Sequence, residues 1–149
     1  MKKQNIQPDL SALLRRRPQA WARVEGTDKF PALGGLARFY RVPLGVVTVM
    51  ELGGLPQPDA TGAPTLFFPE IMPEASGREG SAREPIRLPP LDAVRGYAFS
   101  CFLCDGFTLR GILGGELILL RGSPEMSWRG ARSFSAGALR VASGRIRDR

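Results

Sequence analysis

The sequence predicts an all-β domain of about eight strands, arranged as a Greek-key sandwich or barrel, with a short N-terminal helical arm. The chain has 149 residues, the usual length of one domain, and 43% of them are hydrophobic, which is enough to bury a core. Its 18 glycines and 13 prolines separate short apolar runs, and such turn residues favour a sandwich or barrel over a helical bundle. We expect an arm at 1–19, the β-domain at 20–146 and a basic tail at 147–149.

The arm is predicted to contain a short helix at Pro8–Arg17, with Asp9 at its N-cap. An apolar stripe at helical spacing is formed by Leu10, Leu13 and Leu14. These leucines need a surface to cover. Either the β-domain of the same chain or a second copy of the chain can supply that surface.

Strand signals begin directly after the arm. Alternating residues predict a strand at Trp21–Glu25, and a hairpin is predicted to join Gly35–Val42 to Val46–Leu52. Further strands are expected at Thr65–Ile71, Gly96–Cys104, Glu116–Leu120 and Leu139–Ser143.

Three connecting segments are less regular. Because Pro69 cannot donate to a hydrogen-bond ladder, the strand that contains it is expected to lie at a sheet edge or to be broken. The composition of Met72–Pro90 changes to Gly, Ser, Arg, Glu and Pro, which predicts an exposed loop. Phe107–Arg110 is predicted to form a second arm or a short turn.

The net charge of the chain is +7, and the basic residues crowd its two ends. They are Lys2, Lys3 and Arg15 to Arg17 near the start, and Arg121, Arg129, Arg132, Arg140, Arg145, Arg147 and Arg149 near the end. A basic surface attracts anions such as nucleic acid, acidic lipid or a small anionic ligand. The alternative is that these charges only keep exposed termini soluble.

We expect a cytoplasmic protein with no membrane partner. The polar residues Gln4, Asn5 and Gln7 stand where the apolar core of a signal peptide would begin, and no apolar run approaches the roughly 18 residues of a membrane span. Two cysteines, Cys101 and Cys104, are too few for a secreted disulfide scaffold.

The chain contains no histidine. This removes the commonest general base, the Ser/His and Cys/His nucleophile pairs, and nearly all zinc and copper catalysis. The Cys101-x-x-Cys104 spacing does not restore a metal site, because residues i and i+3 of a strand point to opposite faces and no second cysteine pair exists. We therefore interpret both cysteines as structural.

The remaining motifs give no catalytic or phosphate-binding site. Four carboxylates in loops or strand ends could pair as acid and base, but nothing in the sequence brings any two together: Glu70, Glu74, Asp92 and Asp105. The glycine pairs match no phosphate-binding loop and are interpreted as turns. No pattern typical of a nucleic-acid-reading module is present.

Several segments, in order along the chain, resemble the strands and turns of one known family. They are Ala22–Gly26, Phe30–Gly34, Leu36–Tyr40, Gly45–Pro56, Leu88–Leu91, Arg95–Phe99, Asp105–Leu109, Gly114–Pro124 and Arg140–Gly144. Their order and spacing resemble the copper/zinc superoxide dismutase family over roughly Ala20 to Ile146. The resemblance implies an eight-stranded Greek-key fold of the dismutase type and a homodimer.

The resemblance also identifies the positions at which the metal ligands are lost. Two copper-binding histidines of the family fall on Phe68 and Glu70, and the last copper histidine falls on Leu120. The family's zinc loop is reduced to Met72–Arg87. Leucine and phenylalanine cannot bind copper, and one glutamate cannot hold it. The resemblance therefore implies that the chain binds neither copper nor zinc and needs no other cofactor.

Two further family positions fall near the end of the chain. Arg140 matches the arginine that guides superoxide to copper, and without copper it is a relic or a surface charge. A half-cystine of the family falls on Ser143, so the family's disulfide is expected to be absent.

Three functional hypotheses follow. The favoured one is a catalytically inactive superoxide dismutase-like protein, a pseudoenzyme, that serves as a scaffold or interaction protein for itself or for another protein. The second is a weak anion or nucleic-acid binder that uses the basic termini. The third, an enzyme with an unrelated site, has no supporting constellation of residues.

Overall fold

The computed structural model describes residues 10–56, 66–74, 84–122 and 139–148. Its elements are α1 (Leu10–Arg15), β1 (Ala20–Gly26), β2 (Gly34–Val42), β3 (Gly45–Gly53), β4 (Leu66–Met72), β5 (Ile86–Arg87), β6 (Leu91–Asp92), β7 (Ala98–Cys104), α2 (Leu109–Ile112), β8 (Glu116–Gly122) and β9 (Leu139–Arg147). The strands form one antiparallel sheet in the order β5-β4-β8-β9-β1-β2-β3-β7, with β6 also paired to β4. The all-β class expected from the sequence is confirmed.

The sheet curls into a half-barrel. Strands β1, β2 and β3 are neighbours in the chain and in the sheet, whereas β3 and β4 lie near opposite ends of the strand order. Strand β6 pairs with β4 and also contacts β7, so the two ends of the strand order approach each other. The inner face of this curve encloses the main core.

The main core follows from the alternation of side chains along each strand. In β1 the buried residues are Ala20, Ala22 and Val24, and the residues between them face outward. The larger apolar side chains of the core come from β2, β3, β4, β8 and α2, and include Phe39, Met50, Leu52, Phe67, Ile71, Ile112 and Leu117. Thr48 of β3 also lies on the inner face, fully buried among these groups.

Helix α1 packs on the outer face of its own domain. Leu13 is 4% exposed and lies against Tyr40 of β2 and Val47 and Val49 of β3. The β-domain of the same chain therefore covers Leu13 of the predicted leucine stripe. Asp9, the predicted N-cap, lies outside the described residues. No helix among the described residues has the length and apolar character needed to cross a membrane.

The prediction that the Pro69 strand lies at an edge is wrong. Strand β4 pairs with β8 on one side and with β5 and β6 on the other. Pro69 lies between the stretches paired to β5 and β6, and its carbonyl oxygen accepts a hydrogen bond of 3.0 Å from the Leu88 amide. The N–H that proline lacks would point to this same side, where the neighbouring strand is interrupted. An interior position therefore costs no ladder hydrogen bond.

Three other segments are more regular than expected. Residues 75–83 of the loop predicted at Met72–Pro90 lie outside the described residues. In the described part, β5 pairs with β4 and Leu88 is fully buried. Strand β9 continues to Arg147, whose Cα lies opposite that of Trp21, so this residue of the predicted tail belongs to the sheet. Phe107–Arg110 leads into α2, where the side chain of Thr108 accepts a hydrogen bond from the Gly111 amide.

Candidate functional site

The positions that the sequence resemblance assigned to lost copper ligands lie together on the outer face of β4 and β8. Phe68 of β4 is directly opposite Leu120 of β8, and the two side chains are 1% and 4% exposed. Alternate residues of a strand share a face, so Leu66 and Ile118 lie beside them and complete a small apolar cluster. This cluster, which we call the Phe68–Leu120 cluster, is separate from the main core. It offers no atom that can bind a metal ion.

Glu70 continues the same face of β4. It lies opposite Ile118 on one side and Arg87 of β5 on the other. The residue is 5% exposed, and its Oε2 atom lies 3.9 Å from Nε of Arg87. Burial raises the pKa of the Glu70 carboxyl above its ordinary value, and the positive charge of Arg87 offsets this only in part.

Glu70 is therefore a carboxyl whose charged form is poorly solvated. Its Oε2 atom is buried and makes no hydrogen bond in the structure. Of the four carboxylates considered from the sequence, the other three, Glu74, Asp92 and Asp105, are exposed, and only Glu70 is buried. A single carboxyl next to apolar side chains and one arginine does not form an acid–base pair.

Arg140 lies beside the Phe68–Leu120 cluster along the strand. Its Cα is opposite that of Leu120, next to an irregularity in the pairing of β8 with β9. Its guanidinium turns to Glu116 and donates a hydrogen bond of 2.9 Å. Both side chains are about half exposed, so this ion pair adds little stability. Arg140 thus has a carboxylate partner on the surface.

Ser143 and the two cysteines lie far apart in the sheet. Ser143 of β9 is opposite Glu25 of β1 and Ile118 of β8, whereas Cys101 and Cys104 lie in β7, which ends the strand order and is separated from β9 by three strands. Both cysteines are free thiols. Cys101 packs with the residues under α1 and Cys104 with the main core, which confirms that their sulfur atoms point to opposite faces.

The cysteines are also poor nucleophiles. Burial raises the pKa of both thiols, and that of Cys104 reaches about 11 because Asp105 adds a nearby negative charge. The thiolate is the reactive form, so little of it is present near neutral pH. In the described parts of the chain, no three His, Cys, Asp or Glu side chains are grouped as a metal ion would require.

One surface was not found by sequence reasoning. On the outer face of β9, β1 and β2, Trp21 is flanked by arginines from both neighbouring strands. The sequence showed Trp21 as a strand residue and Arg147 as part of a tail. Their proximity depends on the pairing of the last strand with the first, which local patterns do not reveal.

Comparison with known proteins gives no assignment. No protein-family model matches the chain, and no curated protein matches it either.

Proposed function

We propose that this chain is a metal-free relative of the copper/zinc superoxide dismutase family that acts through protein contacts rather than catalysis. The observation that carries the proposal is the Phe68–Leu120 cluster. Two positions that resemble copper ligands, in separate parts of the chain, are direct neighbours across β4 and β8, and both carry buried apolar side chains. A site that has lost its metal gains stability in this way, because apolar packing replaces imidazoles that would be costly to bury unpaired.

The strand order supports the Greek-key part of the proposal. Strand β8 lies beside β4, β6 pairs with β4 on its other side, and β7 contacts β6. Strands β5 and β6, each of two residues, both pair with the side of β4 opposite β8. If β6, which contacts β7, is counted as the strand on that side, then β4, β6, β7 and β8 lie in the spatial order β8, β4, β6, β7. The fourth strand along the chain lies beside the first, which is the arrangement of a Greek key.

Self-association is part of the proposal. Leu13 of the arm gives it no support, because its own domain covers this side chain, whereas Leu14 is 37% exposed. The support comes instead from β7, which ends the strand order, and from the residues just before it. Four apolar side chains there are between 39% and 68% exposed: Val94, Tyr97, Phe99 and Leu103. A row of this kind on an end strand is a surface that a second copy could cover.

A cytoplasmic location is also proposed. The two thiols lie on opposite faces of β7, so they cannot form with each other the disulfide that oxidising compartments favour.

Metal analysis of the purified full-length protein, beside an assay of superoxide dismutation, tests the loss of catalysis. We expect no stoichiometric copper or zinc after incubation with either ion and desalting. We also expect superoxide turnover no faster than that of heat-denatured protein. Bound copper in stoichiometric amount, or turnover above that control, would contradict the proposal.

Light scattering tests self-association separately. The wild-type protein should have twice the mass of the 16.2 kDa chain, and Phe99→Asp should shift it to the monomer because a charge would be buried in the contact. Leu44→Asp is the matched control. Leu44 is 52% exposed but lies in the turn between β2 and β3, outside this row of four apolar side chains, so this change should leave the dimer intact. A wild-type protein that is monomeric at micromolar concentration would contradict this part of the proposal.

A further inference from the structure

The outer face of β9, β1 and β2 carries a tryptophan surrounded by arginines. Trp21 is in the middle strand, β1, and lies directly opposite Arg38 of β2 and Arg147 of β9. Two residues further along the same faces of β1 and β9 are Arg23 and Arg145, and both are exposed. We call these five residues the Trp21 face. The face lies on β9, β1 and β2, whereas the Phe68–Leu120 cluster lies on β4 and β8.

Two open grooves meet at Trp21. One has a volume of about 540 Å³ and extends past Arg38 to Arg17 at the end of the arm. The other has a volume of about 360 Å³ and extends along β9 past Arg145 and Arg147. Because Trp21 lines both, the grooves form one continuous track across the face. An open track accommodates an extended chain better than a small ligand, since small-molecule sites enclose most of their ligand.

The Trp21 face has an excess of positive charge. The grooves are lined by five arginines and two carboxylates, Glu25 and Asp148. Among the described residues, Arg38 is the only member of the face that forms an ion pair, with Glu51 at 3.0 Å. Arg145 donates a hydrogen bond to the Gly114 carbonyl oxygen, which leaves its charge uncompensated. The face therefore attracts a polyanion.

We propose that the Trp21 face binds single-stranded nucleic acid. Every basic residue of the face is an arginine, whose planar guanidinium matches phosphate oxygens in a bidentate fashion and is less strongly hydrated than a lysine ammonium. The partly exposed indole of Trp21, with arginines on both sides, provides the flat surface on which an unpaired base stacks. Phosphate contacts and base stacking are the two elements of sequence-tolerant single-strand binding.

Two other classes of polyanion fit this surface less well. A lipid bilayer is flat, whereas the arginines line concave grooves on the face of a sheet. An acidic peptide would satisfy the arginines but would make no use of the central indole. Duplex DNA hides the base faces inside its stack, so it could contact only the arginines.

Binding is tested with the full-length protein and fluorescein-labelled oligo-dT and oligo-rU of about ten nucleotides, followed by anisotropy between roughly 50 and 200 mM salt. Both oligonucleotides should bind, and affinity should fall steeply with salt because counterions are released from the phosphates. Trp21→Ala should weaken binding about 5- to 150-fold, the loss expected for one stacked base, and Trp21→Phe should restore most of it. Arg23→Gln with Arg147→Gln should reduce the slope of log affinity against log salt by about 1.4.

A fluorescence signal identifies stacking directly. The sequence contains a second tryptophan, Trp128, so the measurement uses Trp128→Phe, in which Trp21 is the only one. Oligo-dT should quench its emission, and a polyphosphate of similar charge should not. Arg110→Gln, which removes the same charge from a residue outside both grooves, is the matched control and should leave affinity within about twofold, as expected for a remote charge.

Three outcomes would overturn the proposal. The first is no detectable binding of either oligonucleotide at the lowest salt. The second is an equal loss of affinity in Arg110→Gln and Arg147→Gln, which would show attraction by net charge alone. The third is binding of poly-glutamate or anionic phospholipid vesicles as tight as that of oligo-dT and equally sensitive to Trp21→Ala, which would assign the face to a different class of partner.

Discussion

Leu120→Ala is the substitution that most directly tests the packing of the Phe68–Leu120 cluster. Leu120 is 4% exposed and lies opposite Phe68, which is 1% exposed. Removing its buried side chain forfeits the burial free energy and leaves a cavity, so we expect the free energy of unfolding to fall by about 3 kcal/mol. In a domain of this length, that loss lowers the melting temperature by about 6–12 °C.

A histidine at the same position separates packing from metal binding. Leu120→His would place an imidazole in a buried cluster of apolar side chains, so it should destabilise by a similar amount, about 1–3 kcal/mol. Copper should not reverse this loss, because one imidazole opposite Phe68 is not a copper site. Leu120→Met keeps the volume and should cost less than about 1.5 kcal/mol.

The assay is urea denaturation followed by circular dichroism, with and without equimolar copper. A double-mutant cycle with Phe68→Ala should give a coupling free energy of about 0.5–3 kcal/mol, as for side chains in direct contact. The reasoning would be refuted if Leu120→Ala changed the free energy of unfolding by less than about 0.5 kcal/mol, the range of surface substitutions. Stabilisation of Leu120→His by copper would refute it equally.

Three further predictions concern other buried groups. The hydroxyl of Thr48 is buried without a hydrogen-bond partner, so Thr48→Val should stabilise the protein by about 1 kcal/mol in urea denaturation. A Cβ at Gly35 would collide with the Glu51 carbonyl oxygen, whereas one at Gly53 would meet no atom within 4 Å. Gly35→Ala should therefore destabilise by more than about 1 kcal/mol, and Gly53→Ala should be neutral or slightly stabilising by the same method. Because the pKa of Glu70 is raised in the folded state, the stability that this carboxyl contributes is full at low pH and is lost as pH rises through the raised pKa. Near pH 7, Glu70→Gln should have a higher melting temperature than wild type, and this difference should disappear at about pH 4.

Each of these three predictions has an outcome that contradicts it. For Thr48, a lower stability of Thr48→Val would show that the hydroxyl does have a hydrogen-bond partner. Val46→Thr buries a new hydroxyl in the same strand and is the control that should destabilise. For the glycines, equal effects at the two positions would show that the close approach of β2 and β3 relaxes freely. For the carboxyl, a melting difference that does not depend on pH would mean that Glu70 is not the titrating group.

The sequence predicts those strands whose signal is local. Alternation of apolar and polar residues identifies β1, and the turn around Gly45 identifies the hairpin of β2 and β3, with Val42 opposite Gly45 as expected of a tight connection. Strands β5 and β6 are only two residues long, so they carry no periodicity. Strand β5 lies in the stretch predicted as loop, and β6 was not predicted. These two strands form because the backbone of β4 hydrogen-bonds to theirs, and their own residues do not indicate this pairing.

The candidate surfaces also differ in whether the sequence could predict them. The proximity of Phe68 and Leu120 was expected from a resemblance that extends along most of the chain, and the structure brings the two side chains into one cluster. The ion pair of Glu70 with Arg87 depends on the register of β4 and β5, which no local pattern specifies. The Trp21 face likewise depends on the pairing of β9 with β1.

Thermal unfolding of the wild-type protein tests most directly whether this fold is complete without metal. The melting temperature is measured in the presence of a chelator, and then with a molar excess of copper, of zinc, and of both ions. A ligand that binds the folded state at about one hundred times its dissociation constant stabilises by about 2.7 kcal/mol, which in a domain of this length is a shift of roughly 5–11 °C. We predict the same melting temperature in all four conditions. A rise of several degrees with copper or zinc, reversed by the chelator, would contradict it.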